Sequence, residues 1–173
     1  MEKADVTGIL EYNYWANRRI LAAASKISLT QFVASTAFPH RSLRGTLVHL
    51  IDAEFGWRTQ MKHARQTDRW VAPELSENDL PTLESVVKRA REEEAAMRAF
   101  LAGLNDESMT EIVRYITDEG IKRERLLWHC LYHVVNHGSQ HRSEAAAMLT
   151  DYGQSPGDLD FTLFLNETAQ HPT

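Results

Sequence analysis

The sequence predicts an all-α protein: a four-helix bundle with a short β-hairpin before its fourth long helix and a short closing helix after it. Three observations lead there. Apolar residues recur at helical spacing over four long stretches. The breaks between these stretches carry proline, glycine and polar residues. The chain has 173 residues, 43% of them hydrophobic and 25% charged, enough for one core and without a composition shift that would mark a second. A single domain over residues 1–173 is therefore expected.

From Val6 onward, Ile9, Leu10, Ile20, Leu21 and Ala24 mark a first helix that ends near Ser25 to Ser28. At about 100° per residue, Asn13 and Asn17 fall inside the same apolar stripe. Buried amides need hydrogen-bond partners, so this pair either bonds another helix or lines a polar pocket. A loop with Pro39 leads to a second helix from Ser42 to about Ala64, with Ser42 able to cap the first turn. Leu43, Leu47, Leu50, Trp57 and Met61 form its core stripe. On the side of this helix opposite His49, Val48, Ile51 and Phe55 make a second apolar patch, for another helix or a second subunit.

A polar connector, roughly Arg65 to Leu80, precedes a third helix expected from Pro81 to about Leu104, because proline suits the first helical position. Its KRAREEEAAMR stretch reads as a solvated face with acid-base pairs at helical spacing. The residues Ile112, Val113, Tyr115 and Ile116 then meet a turn at Asp118-Glu119-Gly120, the pattern of a short hairpin. The fourth helix is expected from about Arg125 to Thr150, ended by Gly153 and Pro156, and LDFTLFLNET supplies the closing helix.

The net charge of −5 comes without a long basic block, which argues against binding a nucleic-acid backbone. The opening residues lack the apolar core of a signal peptide, and no run reaches the roughly 20 apolar residues of a membrane span. A cytoplasmic protein with no membrane association is the expectation. The single cysteine, Cys130, excludes an internal disulfide and reads as a small buried residue.

Chemistry concentrates in WHCLYHVVNHGSQH, which spaces His129, His133, His137 and His141 four apart. Each step turns about 400°, so successive rings drift by about 40° and cannot all face one point. Leu126, Cys130, Val134, Ala145 and Met148 define the core stripe. His137 and His141 lie inside it, His133 at its edge and His129 outside. Two core-facing imidazoles at i and i+4 form a chelating pair, because both rings reach one ion without bending the backbone. An uncoordinated polar network or a surface ladder is the alternative. Gly138 follows His137, so the HExxH protease pattern does not fit. On the second helix, His49 lies near the stripe edge beside Ala53 and Gly56, whose size leaves room above its ring. His40, in a loop, His63, at a helix end, and His171, in the tail, are poorer candidates.

Taken together, YNYWANRRIL at Tyr12 to Leu21, TLVHLIDAEFGW at Thr46 to Trp57, LLWHCLYHVVNHGSQHRSE at Leu126 to Glu144 and the ending GQSPGDLDFTLFL resemble the DinB/YfiT-like superfamily of metal-dependent enzymes. The resemblance covers nearly the whole chain. It implies a DinB-like four-helix bundle, often a homodimer, with a zinc or nickel ion held by three histidines near one end. Carried over by position, those ligands are His49, His137 and His141. Arg142 matches the residues that usually follow the last histidine, whereas Ser143 and Glu144 depart from them. Glu144, one turn beyond His141, is a fourth ligand, a general base or a surface carboxylate. Asn13, Asn17, His133 and Arg142 are candidates for the substrate pocket.

Some members of that superfamily are S-transferases or isomerases that use low-molecular-weight thiols. The leading expectation is thus a metal-dependent enzyme, transferase-like or hydrolase-like, that activates a thiol or water against a small-molecule substrate. The alternative is a non-catalytic module that binds a small ligand or senses stress through its metal. A di-iron bundle is disfavoured, since paired Glu-x-x-His motifs are absent.

Overall fold

A computed structural model describes residues 1–63, 74–117 and 119–168 of the chain. Helix α1 spans Lys3–Ala24 and is capped by Glu2, whose backbone N–H donates to the Asp5 carboxylate at 2.9 Å. Helix α2, Leu29–Val33, is short, and the Ser28 hydroxyl caps it by accepting from the Gln31 N–H. Helix α3 runs Leu43–His63, with the Ser42 hydroxyl accepting from the Gly45 N–H at 2.9 Å as a cap. The expected end at Ala64 lies outside the described residues.

Helix α4, Leu83–Ala102, starts later than expected. Thr82 caps it by accepting from the Ser85 N–H at 3.2 Å, and Pro81 stands before the cap instead of in the first turn. A hydroxyl that satisfies an orphan N–H wins over the preference of proline for that turn. A 3₁₀ turn, Glu107–Thr110, leads into strand β1, Ile112–Ile116, which pairs antiparallel with β2, Lys122–Leu126. Gly120 takes φ +79 in the turn of this hairpin. Because Arg125 and Leu126 pair with Val113 and Ile112, they are strand and not helix, and helix α5 begins at Leu127 and runs to Asp151. Gly153 at φ +74 follows its end, and helix α6, Phe161–Thr168, closes the described chain.

Four long helices form the bundle: α5 packs on both α1 and α3, α3 packs on α4, and α1 and α4 meet least. The interior is divided. One apolar cluster holds Val6, Leu10, Met61, Met97 and Leu131; the other holds Ile20, Phe32, Leu47, Val86 and Met148. Between them, at the level of Asn13, Glu54 and Arg142, lies a buried polar layer. Val48 and Ile51, on the side of α3 opposite His49, are buried in the second cluster, to which Val86 of α4 also belongs. Phe55 lies under the Arg58 and Arg89 guanidinium groups, 5.6 and 5.0 Å from its ring.

The acid-base face of α4 is only partly solvated. Glu93 is 2% exposed and paired with both Arg58 and Arg89, whereas Glu94 and Arg98 stay near the surface. Cys130 is buried, and burial pushes its thiol pKa up to about 12, which leaves it protonated and unreactive. Among the described residues, no helix is long and apolar enough to cross a membrane.

Candidate metal centre

Helical drift sorts the ladder of α5. His141 is 6% exposed and His137 partly buried, while His133 is exposed and its ring meets the edge of Trp57 at 4.8 Å. His129 stays outside the core and packs against the Trp128 ring at 4.0 Å. The pair His137 and His141 flanks the midpoint of α5, Leu127–Asp151, while His49 stands in the second turn of α3. From α3, His49 brings its Nε2 to 3.2 Å from the Nε2 of His137, and its ring centroid lies 4.6 Å from that of His141.

A fourth imidazole arrives from a residue ranked low on sequence. His40, in the loop before α3, stacks on His49 with centroids 3.8 Å apart and planes at 17°, and it lies 4.9 Å from the His141 ring. Gly45 explains the approach. A Cβ at that position would fall 2.2 Å from the His40 carbonyl oxygen, so only glycine lets the loop close onto the first turn of α3. Arg41, at φ +62, turns the chain there. Ligand atoms of His40, His49 and His141 lie within 4.8 Å of one another.

The electrostatics favour uncharged rings. Burial, with His40, His141 and His137 as neighbours, pulls the His49 pKa down to about 3. Burial and then His141 pull His137 down to about 4, and His40 is lowered for the same two reasons. Neutral imidazole is the form that binds a metal. Two nitrogens bound at about 2.0–2.1 Å to one tetrahedral ion lie about 3.3 Å apart, and the His49–His137 separation of 3.2 Å fits that spacing. Imidazole donors of this kind suit a divalent transition-metal cation.

Glu144 is neither an outlying surface group nor aimed at the cluster as a ligand. Its Oε2 lies 2.9 Å from His141 Nδ1, with the carboxylate side chain 15% exposed. A proton on Nδ1 donated to Glu144 leaves Nε2 of His141 as the free lone pair and sets the ring's orientation.

Arg142, Asn13 and Asn17 form the polar layer, and Asn17 also lines a larger cavity on the far side of α3. Arg142 is 2% exposed and donates to the carbonyls of Asn13 and Asn17 and to the Ser139 hydroxyl, the last at 2.9 Å, while its guanidinium lies 5.7 Å from the Tyr12 ring. Gly138 makes room for it, since a Cβ there would stand 2.8 Å from Arg142 Nη1 and 2.9 Å from Asn13 Oδ1. The clamp therefore holds the turn between His137 and His141 against α1.

Sequence reasoning missed Glu54. It is 7% exposed, its Oε1 accepts from the Tyr14 hydroxyl at 2.7 Å, and Asn13 Nδ2 approaches Oε2 only at 3.4 Å. The signal was present: Leu43, Leu47, Leu50, Glu54, Trp57 and Met61 follow one another at steps of four and three, which puts a carboxyl in the core stripe. A void of about 10 Å³ touches Glu54, Ala53, Asn13, Arg142 and His137, and joins this layer to the histidines. His63 ends α3 and His171 lies outside the described residues.

The sequence model of the DinB family matches residues 1–172. Protein DinB of Bacillus subtilis (strain 168) is 24% identical over 167 residues, which cover 92% of this chain and 94% of that relative.

Proposed function

As the chain belongs to the DinB family, we propose that it binds one divalent cation, zinc or nickel, and is a metal-dependent enzyme that turns a thiol or water against a small electrophile. The observation that carries this reading is the meeting of His49, His137, His141 and His40, with burial lowering the pKa values of His40, His49 and His137 and with the nitrogens of His49 and His137 only 3.2 Å apart. The proposed ligands are His49, His137 and His141. Distance alone would group His40 with His49 and His141. Stacked rings, however, hold their in-plane lone pairs in separate, nearly parallel planes, whereas His137 and His141 are tilted at 57° and 81° to His49 and can converge with it. His40 serves instead as a stacking cover for His49.

When bound, such a cation supplies Lewis acidity towards a thiol or a water molecule near neutral pH. The remaining work falls to the chain. Glu144 holds the His141 ring by its Nδ1, and the clamp of Arg142 with Asn13 and Asn17 keeps the two α5 histidines in register. Trp57 and His133, with Tyr115 5.2 Å from Trp57, give the neighbouring surface an aromatic wall for an organic substrate. A low-molecular-weight thiol is the proposed cosubstrate, and a homodimer the proposed assembly.

Elemental analysis of the purified protein is expected to find one metal per chain, lost in His137→Ala and kept in His40→Ala. Unchanged metal content in His137→Ala would overturn the ligand set. Metal-dependent loss of thiol in a screen of electrophiles supports the enzyme; saturable binding without turnover would establish a binding module in its place.

A further inference from the structure

On the side of α3 away from the histidine cluster, the weak contact between α1 and α4 leaves a cavity of about 730 Å³. That size lies within the roughly 300–1,000 Å³ of small-molecule sites. Its lining runs from Tyr14 to Ser25 on α1, about 16 Å along the helix. The walls are apolar: Ile20, Leu21, Leu47, Leu50, Ile51 and Val86. No histidine lines it.

Most charges around it are already committed. Glu94 pairs with Arg18 at 3.3 Å and with Arg98 at 2.8 Å, and Glu93 pairs with Arg58 and Arg89. Arg91 stands exposed at the rim. A charged ligand would have to compete with these pairs, whereas an uncharged one would not. Among the polar groups on its lining, Glu54 is under-used. Tyr14 satisfies Oε1, but Oε2 has only the long 3.4 Å approach of Asn13. Around this carboxyl stand Tyr14 and Asn13 from α1, Glu93 and Glu94 from α4, and Arg142 from α5. Burial, opposed in part by the Tyr14 hydroxyl, pushes the Glu54 pKa up to about 7, so below neutrality it can donate a hydrogen bond.

We propose that this cavity is a second binding site, separate from the histidine cluster, for an uncharged molecule with an elongated apolar body and one acceptor oxygen, such as a medium-chain ketone or ester, held at that oxygen by the Glu54 carboxyl.

The test uses the full-length, metal-stripped protein at mildly acidic pH, so it does not depend on the metal reading. N-phenyl-naphthylamine, an uncharged fluorophore, is expected to bind one-to-one. A medium-chain methyl ketone should displace it at roughly tenfold lower concentration than the primary alkyl chloride of equal length, the effect of one neutral hydrogen bond. Ala90→Trp fills the cavity from α4 and should abolish dye binding while helix content persists. Glu54→Leu should keep the dye and lose the preference for the ketone. Dye binding that survives Ala90→Trp, or a wild-type protein that does not distinguish ketone from chloride, would overturn the proposal. So would conversion of a dimer to a monomer by Ala90→Trp in sedimentation, which would assign the cavity to a second copy of the chain. If Glu54→Leu does not fold, the ketone-to-chloride ratio and Ala90→Trp decide the matter.

Discussion

His49 and His137 are uncharged because ionising them would bury a cation beside other imidazoles, and this has a pH signature. Their pKa values fall from 6.5 to about 3 and about 4. Above pH 6.5 both are neutral whether folded or not. Below it the unfolded chain takes up protons that the folded chain refuses, so stability drops as the pH falls from 6.5 towards 4. Urea midpoints of the metal-free protein should decline across that window, and replacing both residues with glutamine should flatten the decline. Glu144 acts on the same rings from outside. Glu144→Gln should weaken metal affinity by about 10- to 100-fold in a competition titration with a chelator, without changing the stoichiometry.

At the scale of elements, two glycines and one acid decide how the helices meet. Gly138→Ala would push a Cβ to within 2.9 Å of Asn13 Oδ1 and closer still to Arg142. The expected loss is about 1–3 kcal/mol of stability by denaturant unfolding, together with weaker metal binding as His137 and His141 turn away from α3. Glu54 behaves oppositely to the histidines. Its pKa rises from 4.5 to about 7, so its contribution is present below pH 4.5 and lost as the pH rises through 7. Glu54→Gln keeps an acceptor for Tyr14 and should gain on the wild type between those two values. The ends of elements were read less well than their existence. The hairpin, the four long helices and the closing helix all follow from period and turn residues, but β2 claimed Arg125 and Leu126 for pairing, and Thr82 outcompeted Pro81 as the start of α4. Both outcomes depend on which backbone groups find partners, which hydrophobic period does not report.

For the whole molecule, the histidine cluster joins α3, α5 and the loop before α3. An ion that binds only this folded arrangement should stabilise it by about 2.7 kcal/mol at 100 times its dissociation constant. For a chain of this size that is a rise of about 5–10 °C in the unfolding midpoint, measured by calorimetry with and without a chelator. His40→Ala should retain most of that rise, whereas His137→Ala should abolish it.

The chain by itself determined the helical periods, the inward stripe of α5 and the neighbourhood of His49, because each is set by neighbours within two turns of one helix. Even Glu54 could have been read there, as a carboxyl at a core position of an otherwise apolar stripe. Only the tertiary structure decided that His40 joins the cluster and that Arg142 spans Gly138 to reach Asn13 and Asn17. Those contacts link residues up to 129 positions apart in the chain. They depend on loop closure and on the absence of two side chains, so no local pattern announces them. The four spaced histidines of α5 named a place in the fold; packing decided which rings share it and with whom.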